Sequence, residues 1–187
     1  MIMVKLMIYS NSELKKQGYD SRTIKNKVIK GELYKLESGL YSTKRYENEE
    51  TIISKKYPKS VITLLTAFYQ YGYTDFISDS IYVSIPKNYS KIAKDNVEVF
   101  VNDKKYYELG IEYYIEGNVK IKIYNLEKLL IELIKYRNKI PYEQYKEIIN
   151  NYRKNINNID FSKLLEYLKI LGKKYEYVKE IIHKEVM

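Results

Sequence analysis

Along the first quarter of the chain the apolar residues come in short bursts, separated by turn formers, and their spacing changes from helical to strand-like. Ser10 and Glu13 make an S-x-x-E pattern: the hydroxyl takes an orphan helix N–H, and the carboxylate returns to the cap's own N–H. This predicts a short helix over residues 11–17, with Leu14 turned inward and Gly18 just past its end. Asp20 or Ser21 caps a second helix that runs to about Lys30 and stops at Gly31. Ile24, Val28 and Ile29 are expected on its packed face. Arg22, Thr23, Asn26, Lys27 and Lys30 are expected on the opposite face, with Lys25 on the flank. Residues 33–36 and 40–43 then read as two strands joined across Glu37, Ser38 and Gly39, a loop whose final glycine suits a G1-bulge hairpin. The opening residues, MIMVKLMIYS, are expected as a further helix, with Val4, Met7 and Ile8 packing beneath the other two.

Downstream the pattern is different. Residues 46–56 look like a connector, and 47–59 is taken as a linker. Residues 60–71 form a strongly apolar stretch that predicts a helix ending at Gly72. Strands are expected over 81–85, up to Pro86, and over 97–101, where apolar and polar residues alternate. Residues 111–115 and 119–124 propose a hairpin around a Glu-Gly-Asn turn. Asn125 caps a helix to about Arg137, Pro141 opens another to about Tyr152, and two more, over 161–171 and 174–186, divide at Gly172. The fold class expected is α+β. It comprises a winged helix-turn-helix at 1–46, then an α+β domain at 60–187 made of a small mixed α/β segment (strands about 81–124) and a C-terminal helical group (about 125–187).

Helix, turn, helix and hairpin in this order place one helix in the major groove of DNA. The candidate contacts are Ser21, Arg22, Thr23, Lys25, Asn26, Lys27 and Lys30 on the second helix, and Lys35, Ser38 and Lys44 on or after the hairpin. Arg bonds a guanine edge bidentately, Asn does the same with adenine, and Lys neutralises phosphate. A solvated lysine-rich face is the alternative for the helix alone; the flanking turn and hairpin favour DNA. Tyr34 and Tyr41 on the hairpin are further candidates, whereas most of the 23 tyrosines are spread along the chain and suit amphipathic packing.

Charge supports that reading through its distribution rather than its total. The chain carries +9, but with 29 Lys, 4 Arg and only two Ala its composition is that of an AT-rich genome. Residues 1–46 hold ten basic and four acidic side chains, so two-thirds of the excess lies in a quarter of the chain. Zero cysteines exclude disulfides and thiolate metal sites, and with no signal peptide or spanning segment evident the expected location is the cytoplasm.

Enzymatic chemistry finds little support. His183 is the single histidine, too few for a two-histidine zinc site and without recognisable triad partners. Gly110 and Gly117 are isolated, so no glycine-rich phosphate loop occurs. Asp75 and Asp79 suggest a carboxylate pair, but the Gly-Ser and Asp-x-Asp elements of a nucleotidyltransferase are absent, and Asp75 fits a turn after Gly72. No enzyme activity and no cofactor or metal are expected.

Three blocks together cover much of the chain: LKKQGYDSRTIKNKVIKGELYKLESGLYS (14–42), SVITLLTAFYQYGYTDFISDSIYVSIPKNY (60–89) and VKIKIYNLEKLLIELIKYRNKI (119–140). In order and spacing they resemble the AbiEi-type antitoxins, transcriptional regulators of type IV (abortive-infection) toxin–antitoxin systems. The resemblance implies an N-terminal winged domain that binds inverted repeats in the operon's own promoter, as a homodimer or cooperatively. It also implies a nucleotidyltransferase-like toxin as the partner whose growth arrest the chain counters. Residues 141–187 match no motif. A stand-alone repressor of a mobile element, and a protein-interaction module with a winged fold, are the alternatives.

Overall fold

In the computed structural model, which describes residues 7–187, the chain is a mixed α+β protein whose contacts divide it into two units. The first runs to Ser60 and includes residues 113–121; the second comprises Val61–Glu112 and Lys122–Met187.

The first unit begins with strand β1 (Ile8–Ser10), followed by α1 (Asn11–Lys16), α2 (Ser21–Ile29), β2 (Tyr34–Glu37) and β3 (Leu40–Ser42). The three strands form an antiparallel sheet in the order β1-β3-β2. Ser10 and Glu13 make the reciprocal capping box, with Glu13 N–H donating to Ser10 Oγ at 3.2 Å and Ser10 N–H to Glu13 Oε2 at 2.7 Å. Burial works against the charged form of Glu13. The Lys55 ammonium and the hydrogen bonds from Ser10 outweigh it and hold the carboxyl below its usual range. Asp20, rather than Ser21, caps α2. At the hairpin tip the register shifts between Lys35 and Glu37 and Gly39 takes a φ of 78°, a left-handed conformation in which a Cβ would be strained.

Two expectations are corrected here. Met7 precedes a strand and Ile8 lies within it, so neither belongs to a helix; Val4 lies outside the described residues. Pairing of β1 with β3 satisfies this backbone, and the side-chain amide of Asn118 adds two bonds to the N–H and C=O of Ile8, at 2.7 and 2.8 Å. Nor are residues 47–59 a bare connector, because Glu49–Lys56 forms α3. Acids in its first turn and lysines in its last match the helix dipole. Thr51, Ile52, Ile53 and Ser54 are buried in succession, so no amphipathic stripe marks this helix. Thr51 and Asn48 both donate to Glu116, at 2.6 and 2.8 Å.

In the second unit, β4 (Val61–Ile62) leads into α4 (Leu64–Gln70), followed by β5 (Ile81–Pro86), β6 (Val97–Asn102) and the single-turn α5 (Lys104–Tyr107). The hairpin strands β7 (Ile111–Glu116) and β8 (Val119–Tyr124) complete a five-stranded sheet ordered β6-β5-β4-β8-β7, and the hairpin tip clusters with the first unit. The stretch expected as one helix from residue 60 therefore begins as a strand. The β-branched run Val61-Ile62-Thr63 resists helix, and β4 pairs with both β5 and β8 in the sheet. The chain then turns into α4 through Leu64, whose φ is 43°.

Four helices follow: α6 (Leu126–Lys135), α7 (Tyr142–Lys154), α8 (Phe161–Leu171) and α9 (Glu176–Glu185). Asn125 caps α6 through Lys128 N–H, as expected, and α6 packs against α4, α8 and α9. Its buried face includes Lys128 and Glu132, whose ion pair at 2.7 Å is 0% exposed. Thr63 donates to Glu132 at 2.9 Å, while Lys135 and Tyr136 both donate to Asn102 Oδ1 at 2.8 Å. Asn102 in turn donates to Ser84 Oγ, which lies 3.0 Å from the Tyr124 hydroxyl, and Tyr124 donates its one hydrogen to the Tyr107 carbonyl at 2.8 Å. Among the described residues no helix is long and apolar enough to cross a membrane.

Candidate nucleic-acid interface

Helix α2 sits on a small apolar core. Leu14, Ile24 and Leu33 are buried together, with Tyr9, Tyr19, Val28 and Tyr41 packed around them. With Ile24 pointing inward, a rotation of about 100° per residue places Val28 about 40° away and Ile29 about 140° away. Hydrophobicity assigned Ile29 to the packed face; the structure leaves it 73% exposed. The same rotation puts Lys27 only about 60° from Ile24. Lys27 is accordingly half-buried, with its ammonium on Glu32 at 2.6 Å and 5.2 Å from the centre of the Tyr19 ring. The Glu32 hydrogen bond raises the Lys27 pKa and lowers that of Glu32.

The outward stripe of α2 is therefore Arg22, Lys25, Asn26 and Ile29, all exposed. Lys25 moves from the flank into this stripe, and Lys27 leaves it. Thr23 is half-buried, and its N–H is held at 2.7 Å by the Asp20 carboxylate, whose pKa is lowered chiefly by that bond. Ser21 lies exposed in the first turn and Lys30 is exposed at the C-terminal cap. Glu32 and Asp20 are the acids adjoining the helix, and both are already engaged.

Beside this stripe a cleft of about 230 Å³ separates α2 from the hairpin. Asn11, Ser21, Lys25 and Lys35 supply its polar lining, with Ile24, Val28 and Tyr41 as apolar lining. Lys25 and Lys35 thus bring positive charge to one cleft from two elements of different type. Ser38 is exposed at the hairpin turn, and Lys44, just after β3, is exposed with its N–H held by Ser42 Oγ at 2.9 Å. Ser42 is in turn fixed by Glu47, so the chain leaving the hairpin is tied down. Tyr41 is committed to the core cluster and the cleft wall, and Tyr34 is half-buried.

The candidate residues thus divide. Ser21, Arg22, Lys25, Asn26 and Lys35 gather on the stripe and its cleft, whereas Thr23 and Lys27 serve the cap and an internal ion pair. Ile29 was missed: once Ile24 packs into the core, the helical rotation carries it outward. Elsewhere, the turn at Asp75 is held through backbone: its N–H donates to Glu147 at 3.2 Å, beside Thr74 Oγ1, which donates to the same carboxylate. Among the described residues no group of three or more His, Asp or Glu is placed to hold a metal ion. No family model and no curated protein matches the chain.

Proposed function

We propose that residues 8–43 work as a winged helix-turn-helix and that the chain is a DNA-binding transcriptional regulator. One observation carries this: the free face of α2 presents Arg22, Lys25 and Asn26 in one stripe, beside a cleft that Lys35 of the hairpin closes with positive charge. In this reading α2 lies in the major groove. Arg22 and Asn26 face base edges, and a phosphate of the flanking strand enters the cleft between Lys25 and Lys35. Ser38, Lys30 and Lys44 contact the backbone at the margins. The sheet order β1-β3-β2, with two helices between β1 and β2, suits a hairpin that serves as the wing.

The narrower role, antitoxin and autorepressor of a type IV operon with a nucleotidyltransferase-like toxin, is supported by the resemblance of the three sequence blocks. Binding to a duplex from upstream of the chain's own coding sequence tests the DNA-binding part. A shift is expected at low salt, weakening steeply as salt rises because each neutralised phosphate releases counterions. Absence of a shift at low salt refutes it. Co-expression with the product of the neighbouring gene tests the antitoxin part: growth arrest by that product and its relief by this chain are expected together.

A further inference from the structure

Ile29 is exposed where the rest of the stripe is polar. A lone exposed aliphatic side chain is ordinary on a protein surface; its position is what matters here. It closes α2 one turn beyond Asn26 and two turns beyond Arg22, about 20° from Arg22 and about 60° from Asn26 around the helix axis. The core formed by Leu14, Ile24 and Leu33 lies on the other side of the helix.

In the major groove only thymine carries a methyl group among the four bases, and it is read by apolar contact rather than by hydrogen bonds. Arg22, Asn26 and Ile29 thus present, along one line, groups suited to guanine, adenine and the thymine methyl. On the DNA-binding reading above, on which this inference rests, we propose that Ile29 reads the 5-methyl group of a thymine, making the C-terminal half of α2 a reader of A·T pairs together with Asn26. Residues three apart on a helix are surface neighbours, so the adenine donor and the methyl contact are placed to act within one A·T pair or on adjacent pairs.

The probe is a duplex from upstream of the chain's own coding sequence, prepared once with thymidine and once with deoxyuridine, which differs only by the missing methyl groups. The full chain is expected to bind the deoxyuridine duplex about four-fold more weakly, the scale of burying one methyl-sized group. Ile29→Ala is expected to weaken binding to the thymidine duplex by a similar factor and to show little further loss on the deoxyuridine duplex. Ile29→Val, which keeps a branched apolar end, is expected to retain part of the methyl response. Because Ile29 is exposed, these variants keep the fold, which circular dichroism checks. Equal methyl responses of the native chain and Ile29→Ala overturn the thymine contact while leaving DNA binding intact. Failure of the native chain to shift the thymidine duplex at low salt overturns the DNA-binding reading and the contact with it.

Discussion

Both units carry exposed ion pairs, such as Lys104–Glu108 and Lys146–Glu143 in the second, but among the described residues only the second also encloses one completely. In the first, the ion pairs Lys27–Glu32, Lys55–Glu13 and Lys56–Glu37 are all partly exposed, and they surround a core as small as Leu14, Ile24 and Leu33 with half-buried tyrosines. In the second, Lys128 and Glu132 meet at 2.7 Å in full burial, wrapped by Thr63, Tyr106 and Tyr124. Exposed pairs of the first kind contribute little each, because water and salt screen them. A buried pair gains more attraction but loses hydration, so its net effect is small, while breaking it on one side leaves a bare charge in the interior. The exposed pairs leave charge at the surface, whereas the Lys128–Glu132 pair lies inside the second unit and is tied to Thr63 through Glu132.

The largest expected effect comes from breaking that asymmetry at its strongest point. Lys128→Met leaves Glu132 buried without its cation and is expected to cost about 3–5 kcal/mol. The double variant Lys128→Met/Glu132→Leu should recover most of this; denaturant unfolding of the single and double variants reads the difference. A double variant as unstable as the single one would mean that the pair itself stabilises the unit. In the first unit, Leu14→Ala is expected to cost about 2–5 kcal/mol, and it should abolish DNA binding at temperatures where the second unit's helical signal persists. A calorimetric scan alongside the gel shift checks both.

Smaller effects concern the interface. Arg22→Ala and Asn26→Ala are each expected to cost about 1–3 kcal/mol of DNA binding and to relax specificity. Lys25→Ala should weaken all duplexes alike and reduce the salt slope by about one. Lys27→Ala should change that slope less than Lys25→Ala, since Lys27 is held by Glu32; equal slopes would dissolve the distinction between them. The smallest effect is at the cap: Ser10→Ala is expected to cost about 1 kcal/mol of stability, seen as a modest fall in the unfolding midpoint.

The second unit also predicts a pH trend. Burial lowers the ammonium pKa of both Lys128 and Lys135 to about 8, despite the nearby Glu132. Between pH 8 and the ordinary lysine value of 10.5 the unfolded chain binds more protons than the folded one, so stability rises with pH there and is lost as pH falls toward 8. Above pH 10 the tyrosines oppose this, because burial raises the Tyr124 and Tyr152 hydroxyls well above that value and the unfolded chain ionises first. The urea midpoint is therefore expected to climb from pH 8 to 9.5, and to climb less in Lys128→Met/Glu132→Leu.

Local chemistry was legible wherever it is governed by neighbours in sequence. The Ser10–Glu13 box, the cap at Asn125, a cap at Asp20 or Ser21, the left-handed glycines at 18, 31 and 72, and the β7–β8 hairpin follow from groups within a few residues of one another. Errors arose where an apolar or polar label stood in for an environment. Ile29 is hydrophobic but faces outward, and Val61-Ile62 belong to the sheet although the run continues into α4. Lys128 and Glu132 have the spacing of an ordinary surface pair on a helix, and nothing within four residues announces that both are enclosed.

By itself, the sequence determined the alternation of caps, turns and periodic segments in the first unit, and the concentration of positive charge there. Those properties are set by backbone dihedrals, short hydrogen bonds and formal charge, which act locally. Only the tertiary structure decided which lysine of α2 is free, which isoleucine is left in solvent, and which lysine is buried. Such choices depend on segments distant in sequence competing for the same buried surface: α2 has one inward direction, and once Ile24 takes it, Ile29 is carried to the outer face.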